Sequence, residues 1–390
     1  MSNRVFITGM GMISPLGDDV DGNWKSLIQR TNHFVPYQLF KGKGKKMEEF
    51  YVGRVSCSLE QEKYSKLAED ALVQAIHDSG INPEENQGRC ALIIGSSLGN
   101  SEYMSQNTSD RYCKLQLEEV LPEVLAHKLA EKYFVNSIVM VINSACSSSS
   151  NAIGKAYRLI KNDRIDCAYV IGIDSVLSDI GLASFSALGV LSSDESMRPF
   201  DVHHNGFILS EGSGALILQR EDHIKEGHLN DCTEIIGYGA SCDAYHIVAP
   251  DGKGEGAALS MKKALKDAGI QSEEVDYINC HGTGTKLNDE SEYNAMELIF
   301  NHSVYASSTK GMTGHLLGAC GIIETIFSCL SMKHSLIPGT VNLKDPIKNN
   351  HIRLLSENLQ IKLNVVMNNT FAFGGQNASL ILKKWEGESI

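Results

Sequence analysis

The sequence predicts an α/β protein made of two similar halves. Three observations predict it: short apolar runs bounded by glycine recur along the chain, segments of helical periodicity lie between them, and two glycine-rich openings, VFITGMGMISPLG and TEIIGYGASCDAY, resemble each other. The runs Val5–Thr8, Cys90–Ile94, Ile138–Ile142, Ala168–Ile173 and Ala215–Leu218 read as buried strands of the first half. Glu234–Gly237, Val275–Asn279, Val304–Ser307, Asn364–Met367 and Ala378–Leu382 read as those of the second. Helices are expected over Gln61–Ser79, ending in Gly80, over Gly256–Asp267, closed by Gly269, and over Gly321–His334, stopped before Pro338. Each opening reads as a strand running into a glycine turn. No Pro/Ser/Gly-rich linker divides the chain, which has only 8 prolines, so halves 1–228 and 229–390 are expected to pack into one body.

Composition narrows the function. With 42% hydrophobic and 21% charged residues the chain reads as soluble and globular. Apolar stretches such as 167–173 are too short to span a bilayer, and the first residues lack a secretory signal pattern, so a cytoplasmic protein is expected. A net charge of −12 speaks against nucleic acid and anionic membranes as partners; an acidic partner would need a local basic patch. The 10 cysteines show no CxxC pair and no paired Cys/His spacing, so neither a disulfide framework nor a metal site is suggested. The lysine run at 41–46 reads as a solvated loop.

Chemistry concentrates at a few turns. In IVMVINSACSSSSNAIGKAYRLI a strand ends at Ile142 and a helix follows with Ala152, Ala156 and Ile160 on one face, placing Cys146 beside a helix N-terminus. Unpaired N–H groups there favour thiolate over thiol, and a thiolate is a nucleophile. A lone cysteine at such a turn is also compatible with a purely structural role. VDYINCHGTGTKLNDESE puts His281 at a strand end, followed by Thr283, Thr285, Asp289 and Glu292; SSTKGMTGHLLGACGIIE repeats the arrangement with Lys310, His315 and Glu324. A histidine at a strand end can polarise a carbonyl through its ring N–H, and threonine hydroxyls can hold a polar ligand arm. In VVMNNTFAFGGQNASLIL two glycines follow Phe373, freeing the backbone for close approach to a bound carbonyl, or simply closing a hairpin with two core aromatics.

Together these segments, with RPFDVHHNGF, EGSGALIL, GYGASCDAYHIVAPD and PGTVNLKDP, resemble the β-ketoacyl-acyl-carrier-protein synthases of the thiolase superfamily, most closely the elongating type II group, across nearly the whole chain. The resemblance implies a five-layer αβαβα fold in two similar halves and a homodimer; a heterodimer with a related subunit stays open. It implies decarboxylative condensation, in which Cys146 carries an acyl group from an acyl carrier protein and a malonyl carrier protein supplies two carbons. The backbone N–H groups of Cys146 and Phe373 would form the oxyanion hole, and His281 and His315 would stabilise the enolate. Lys310 would pair with Asp289 and Glu324, joined by Glu292, while Thr283 and Thr285 would hold the pantetheine arm. Phe373, backed by Phe371, would gate an acyl pocket that Tyr103 and Met104 help line. No permanently bound cofactor is implied, since phosphopantetheine arrives on the carrier protein.

Two rivals are weaker on the same residues. A thiolase-type enzyme would place a second cysteine where Phe373-Gly374-Gly375 stand, and a non-catalytic partner or chain-length-determining subunit would lack Cys146. Several positions depart from the elongating pattern: His204-Asn205 for Arg-Asp, Lys286 for proline, Cys280 for alanine, Asn151 for histidine and Gln376 for threonine. Specialised polyketide or polyene synthesis therefore competes with fatty-acid elongation. Glu102 and Tyr103, in the stretch matching the acyl-pocket wall, predict that the preferred acyl chain is not a long saturated one. The missing arginine at 204 weakens the usual carrier-protein docking site; Lys63 and Lys66 or the run at 41–46 could substitute, and neutral drift on a surface is the alternative reading.

Overall fold

The structure, a computed structural model, describes residues 3–39, 48–56, 62–85, 89–107, 115–225, 229, 232–348 and 350–385. The lysine run at 41–46 lies outside them.

All ten expected strands form, and an eleventh joins them in a single sheet among the described residues. In chain order they are β1 (Val5–Ile13), β2 (Cys90–Gly95), β3 (Ile138–Ile142), β4 (Cys167–Asp174), β5 (Gly212–Arg220), β6 (Thr233–Cys242), β7 (Tyr277–Asn279), β8 (Val304–Ser307), β9 (Ile352–Leu354), β10 (Val365–Ala372) and β11 (Gln376–Lys384). Their order across the sheet is β9-β8-β7-β10-β11-β6-β1-β5-β4-β2-β3. Outward from the centre, each half therefore runs first, fifth, fourth, second, third in its own chain order, with β9 added at one edge. The directions repeat as well: second, third and fourth strands are parallel and the fifth is antiparallel to its neighbours in both halves. Within the sheet the halves join where β1 pairs with β6 antiparallel, at Val5↔Ile235, Phe6↔Glu234 and Ile7↔Thr233.

Helices complete five layers. Lys63–Ser79 and Pro122–Lys132 cover one outer face, Glu255–Ala268 and Lys286–Ile299 the other, and Ser148–Lys161 and Cys320–His334 lie between the two halves of the sheet. A helix covered on every side is expected to be apolar or small nearly all round, and Cys320 through Met332 are all buried, with Glu324 as the charged exception among them. The strands with both faces covered, β2 and β4, are likewise buried at every residue.

The glycines inside the two openings are not turn residues. β1 runs past Gly9 and Gly11 to Ile13, with a register shift between Ile7 and Gly9, before the turn Ser14–Gly17, and β6 runs past Gly237 and Gly239 to Cys242; these glycines serve helix packing. A Cβ at Gly11 would sit 1.9 Å from the Ala71 carbonyl oxygen, and one at Gly239 would sit 2.0 Å from that of Ser260, each on the outer helix of its own half. No helix among the described residues is long and apolar enough to cross a membrane.

Candidate active site

Cys146 sits between β3 and the Ser148–Lys161 helix. The chain reaches it through Ala145 at φ 51°, a left-handed conformation costly for a residue with a Cβ, and the serines beside it hold that bend. Ser148 Oγ accepts from the Ser144 N–H at 2.9 Å and donates to the Ala145 carbonyl at 2.6 Å, while Ser147 Oγ donates to the Ser144 carbonyl at 2.8 Å. Further in, Ser149 Oγ accepts from the Ile322 N–H at 3.0 Å and Ser150 Oγ meets Thr370 Oγ1 at 2.8 Å. The serine run is thus the seam between the two central helices and their sheet.

The structure brings His281 and His315 to this thiol. The Cys146 Sγ and one ring nitrogen of each histidine lie within 4.8 Å of one another, and all three residues are buried. The rings are edge to face, with centroids 5.4 Å apart. The two reach the sulfur from equivalent places, His281 just beyond β7 and His315 beyond β8. His315 is held by its own N–H on the Ile208 carbonyl at 2.7 Å and by Phe207 packed against its ring at 4.8 Å. Its Nδ1 accepts the Leu317 N–H at 3.1 Å, which makes Nε2 the protonated nitrogen of a neutral ring. Burial drives the pKa of both histidines well below the ordinary range, with the Lys310 charge adding to it, so both rings are neutral N–H donors.

Beneath the histidines lies a buried charge network. Lys310 Nζ donates to the His281 carbonyl at 2.6 Å and forms an ion pair with Glu324, fixing the His281 loop from below. Glu292 receives the N–H groups of His281 and Gly282 at 2.8 and 2.7 Å, one on each oxygen. Burial pushes the Glu292 carboxyl up to about 8 against those two donors. Asp289 differs from expectation. Its carboxylate takes the N–H groups of Phe200 at 2.7 Å and Gly284 at 3.1 Å, so it shapes the loop ends and is not the partner of Lys310.

Burial also overturns the expected low thiol pKa. It pushes Cys146 up to about 12, against the Lys310 charge and the N–H groups of Phe373 and Cys146 itself. The resting group is therefore a thiol: the helix N-terminus is present, but removing the sulfur from water outweighs it. Those two N–H groups nevertheless converge on the sulfur, as an oxyanion site requires. Phe373 owes its position to the turn after it, where Gly374 at φ 76° and Gly375 at φ 69° adopt a conformation that a side chain would strain.

A cavity of about 240 Å³ opens on the thiol, lined by Cys146, both histidines, Thr283, Thr285, Phe371 and Phe373 among others. The threonine hydroxyls meet at 2.9 Å. Tyr103 and Met104 do not line it. Tyr103 is buried with its hydroxyl on the Gln116 N–H at 3.1 Å, and the helix bearing both residues packs against Asp179–Ala187. Glu102 faces Arg54 and Lys63, each at 3.1 Å, which removes the argument that its charge would exclude an alkyl tail. Lys63 in turn reaches the buried Glu211 at 2.5 Å and is only 12% exposed, so it is no docking cation; Lys66 is exposed but pairs with Asp70. His204 points inward, 3.5 Å from Asp289, so its replacement of an arginine alters the interior and not an open surface.

One contact had no signal in the sequence. Cys320, the first residue of the second central helix, places its sulfur 3.2 Å from His315 Nδ1. Nothing in the run GACG marks which way that thiol turns.

Comparison with known proteins decides the family. Residues 2–223 match the beta-ketoacyl synthase N-terminal domain and residues 232–344 its C-terminal domain. The chain belongs to the beta-ketoacyl synthases. It is similar to the 3-oxoacyl-[acyl-carrier-protein] synthase 2 of Coxiella burnetii, 31% identical over 98% of each chain. Among solved structures it is similar to the ketosynthase of Xenorhabdus doucetiae solved in complex with its chain length factor, with TM-score 0.84 and 30% identity over 98% of each chain. It also resembles the type II polyketide ketosynthase of AntDE:AntF, solved with its acyl-carrier protein and bound to the hexaketide, with TM-score 0.87 and 25% identity over 99% of this chain and 100% of that one. The synthase is thus a condensing acyltransferase with the thiolase-like fold.

Proposed function

We propose that the synthase extends an acyl group held as a thioester on Cys146 by two carbons taken from a malonyl group, with both groups delivered on the phosphopantetheine of an acyl carrier protein. The convergence of the Cys146 sulfur with two neutral histidines and two backbone N–H donors carries this reading.

In the first step the Cys146 sulfur attacks the acyl thioester, the carbonyl electron pair moves to oxygen, and that oxyanion lies on the N–H groups of Cys146 and Phe373. Collapse breaks the bond to the pantetheine sulfur, which leaves with the proton lost by the thiol. His281 suits that transfer, because its Nδ1 has no hydrogen-bond partner among the described residues to fix one tautomer. In the second step the malonyl carbon–carbon bond breaks, carbon dioxide leaves, and the electron pair becomes an enolate whose oxygen takes the ring N–H donors of His281 and His315. Two neutral donors suit this charge, since neither must first lose a proton. The enolate carbon attacks the acyl carbonyl, and expulsion of the Cys146 sulfur, which regains a proton, yields the β-ketoacyl product. The halves divide the work: 1–228 supplies the nucleophile, and 229–390 the histidines and Lys310. Lys310, Glu324 and Glu292 hold the His281 loop, Phe373 gates the cavity with Phe371 behind it, and Thr283 and Thr285 hold the amides of the arm.

We further infer a dimer in the cytoplasm. Strand β3 ends the sheet with all five of its residues, IVMVI, only partly covered, and an apolar strand with an open edge calls for a partner. A second copy is the simplest cover; the solved relatives that pair with a chain length factor make a related subunit the alternative. Intact-mass measurement after incubation with acyl carrier protein tests the central step: an acyl adduct on the peptide holding Cys146 is expected, and its absence, or an adduct elsewhere, refutes the assignment.

A further inference from the structure

The lip of the cavity carries a cation to which the condensing steps assign no task. Thr283 is 4% exposed, Thr285 is half-buried and Lys286 is exposed, so three neighbouring cavity-lining residues emerge from the interior in chain order. Among the described residues Lys286 makes no ion pair, even with Glu290 one turn along its own helix, Lys286–Ile299. The carboxylate that shares the cavity, Asp243, is already taken by Asn377 Nδ2 at 2.6 Å and by the Asp251 N–H at 3.1 Å. A free ammonium therefore stands at the mouth of the cavity in a chain whose net charge is −12.

We propose that Lys286 binds the phosphate of the incoming pantetheine arm and so sets how strongly the synthase prefers phosphorylated over unphosphorylated acyl donors. The proposal rests on the condensing reading above. Along such an arm the thioester comes first, the amides next and the phosphate last. The cavity offers the same sequence from inside outward: Cys146, then the paired threonine hydroxyls, then Lys286. The phosphate is the anionic group of the arm, and an ammonium with three donors on a flexible stem can follow it without demanding one geometry. Leu287 beside it, 58% exposed, and Leu188, 46% exposed, also line the cavity, and among the described lining residues Lys286 is the one lysine or arginine that can meet the phosphate. A solvent-facing cation acts through a screened field, so the effect is several-fold and falls with salt.

The test compares acyl-phosphopantetheine with acyl-pantetheine carrying the same acyl group, reading acyl transfer to Cys146 by intact mass as kcat/KM. The wild-type protein is expected to prefer the phosphorylated donor by roughly tenfold. That ratio should fall to near unity in Lys286→Ala, fall further in Lys286→Glu, return in Lys286→Arg, and shrink with added salt in the wild type, with the change residing in KM. An unchanged ratio in Lys286→Ala and Lys286→Glu, with acyl transfer proceeding, overturns the phosphate proposal alone. Failure of both donors to acylate the wild-type protein overturns the condensing reading and this proposal with it.

Discussion

The two halves of the sheet share one strand order and differ in what they carry at the same corner. In the first half the third strand, β3, leads through a strained bend to Cys146 and then into a central helix; in the second, β8 leads to Lys310 and His315 and then into the other central helix. The connection between fourth and fifth strands differs as strongly. In the first half it spans residues 175–211 and supplies Phe185, Val190 and Phe207 around the site; in the second it is the turn Phe373–Gly375. A repeated scaffold thus faces two equivalent corners toward each other, one carrying the Cys146 thiol and the other the Lys310 ammonium and the His315 ring. Neither corner could assemble the site alone.

Removing the chemistry of one corner should break this division most visibly. Cys146→Ala is expected to lower condensation by about a thousandfold or more, read as β-ketoacyl product; near-normal product would place the nucleophile elsewhere. Changing the other corner should split the reaction. With His281→Ala or His315→Ala, acylation of Cys146 should continue while release of carbon dioxide from the malonyl donor falls by roughly a hundredfold or more, and equal loss of both steps would contradict the assignment of the enolate to the histidines.

The support beneath the second corner is expected to show in stability. Lys310→Met leaves Glu324 buried without its cation and should cost about 3 to 5 kcal/mol in denaturant unfolding, whereas Lys310→Met with Glu324→Leu should recover much of it. No recovery would mean that the pair does not act as a unit.

A smaller effect separates the corners by pH. The folded state holds His281 and His315 neutral with pKa well below their unfolded value near 6.5, so the unfolded chain binds protons first as pH falls. Their contribution to stability is therefore intact above about pH 6.5 and is lost below it, at up to about 1.4 kcal/mol per pH unit for each histidine. Unfolding of the wild type and of His315→Gln at pH 7 and pH 5.5 should show a shallower decline in the variant; parallel declines would remove His315 from the account. Smallest of all, Glu102→Gln weakens the contacts to Arg54 and Lys63 and should cost about 1 kcal/mol without altering acyl-chain preference. A changed preference would restore Glu102 to the acyl pocket.

The strands were legible because buried strands leave short continuous apolar runs, whereas Cys146 after IVMVINSA, His281 after VDYINC and His315 after SSTKGMTG were each weak alone and became legible through the ordered resemblance of their segments to the β-ketoacyl synthases. The misread positions share a different property. Gly9 and Gly11 looked like a turn because glycine marks both turns and close helix approach, and only the Lys63–Ser79 helix lying on them decides between the two. Asp289, one helical turn from Glu292, faces Phe200 and Gly284 instead of Lys310, and Glu102 and Lys63 face each other instead of an acyl tail or a docking partner.

The sequence by itself determined the α/β class and the recurrence of strands in two sets, which are written in local spacing, and it nominated Cys146, His281 and His315 through the resemblance of their segments to the β-ketoacyl synthases. Only the tertiary structure decided the tautomer of His315, the sulfur of Cys320 beside it, the partners of the buried acids and the resting form of Cys146. Those depend on which distant groups share a buried volume, and on the cost of excluding water from it, neither of which local spacing encodes.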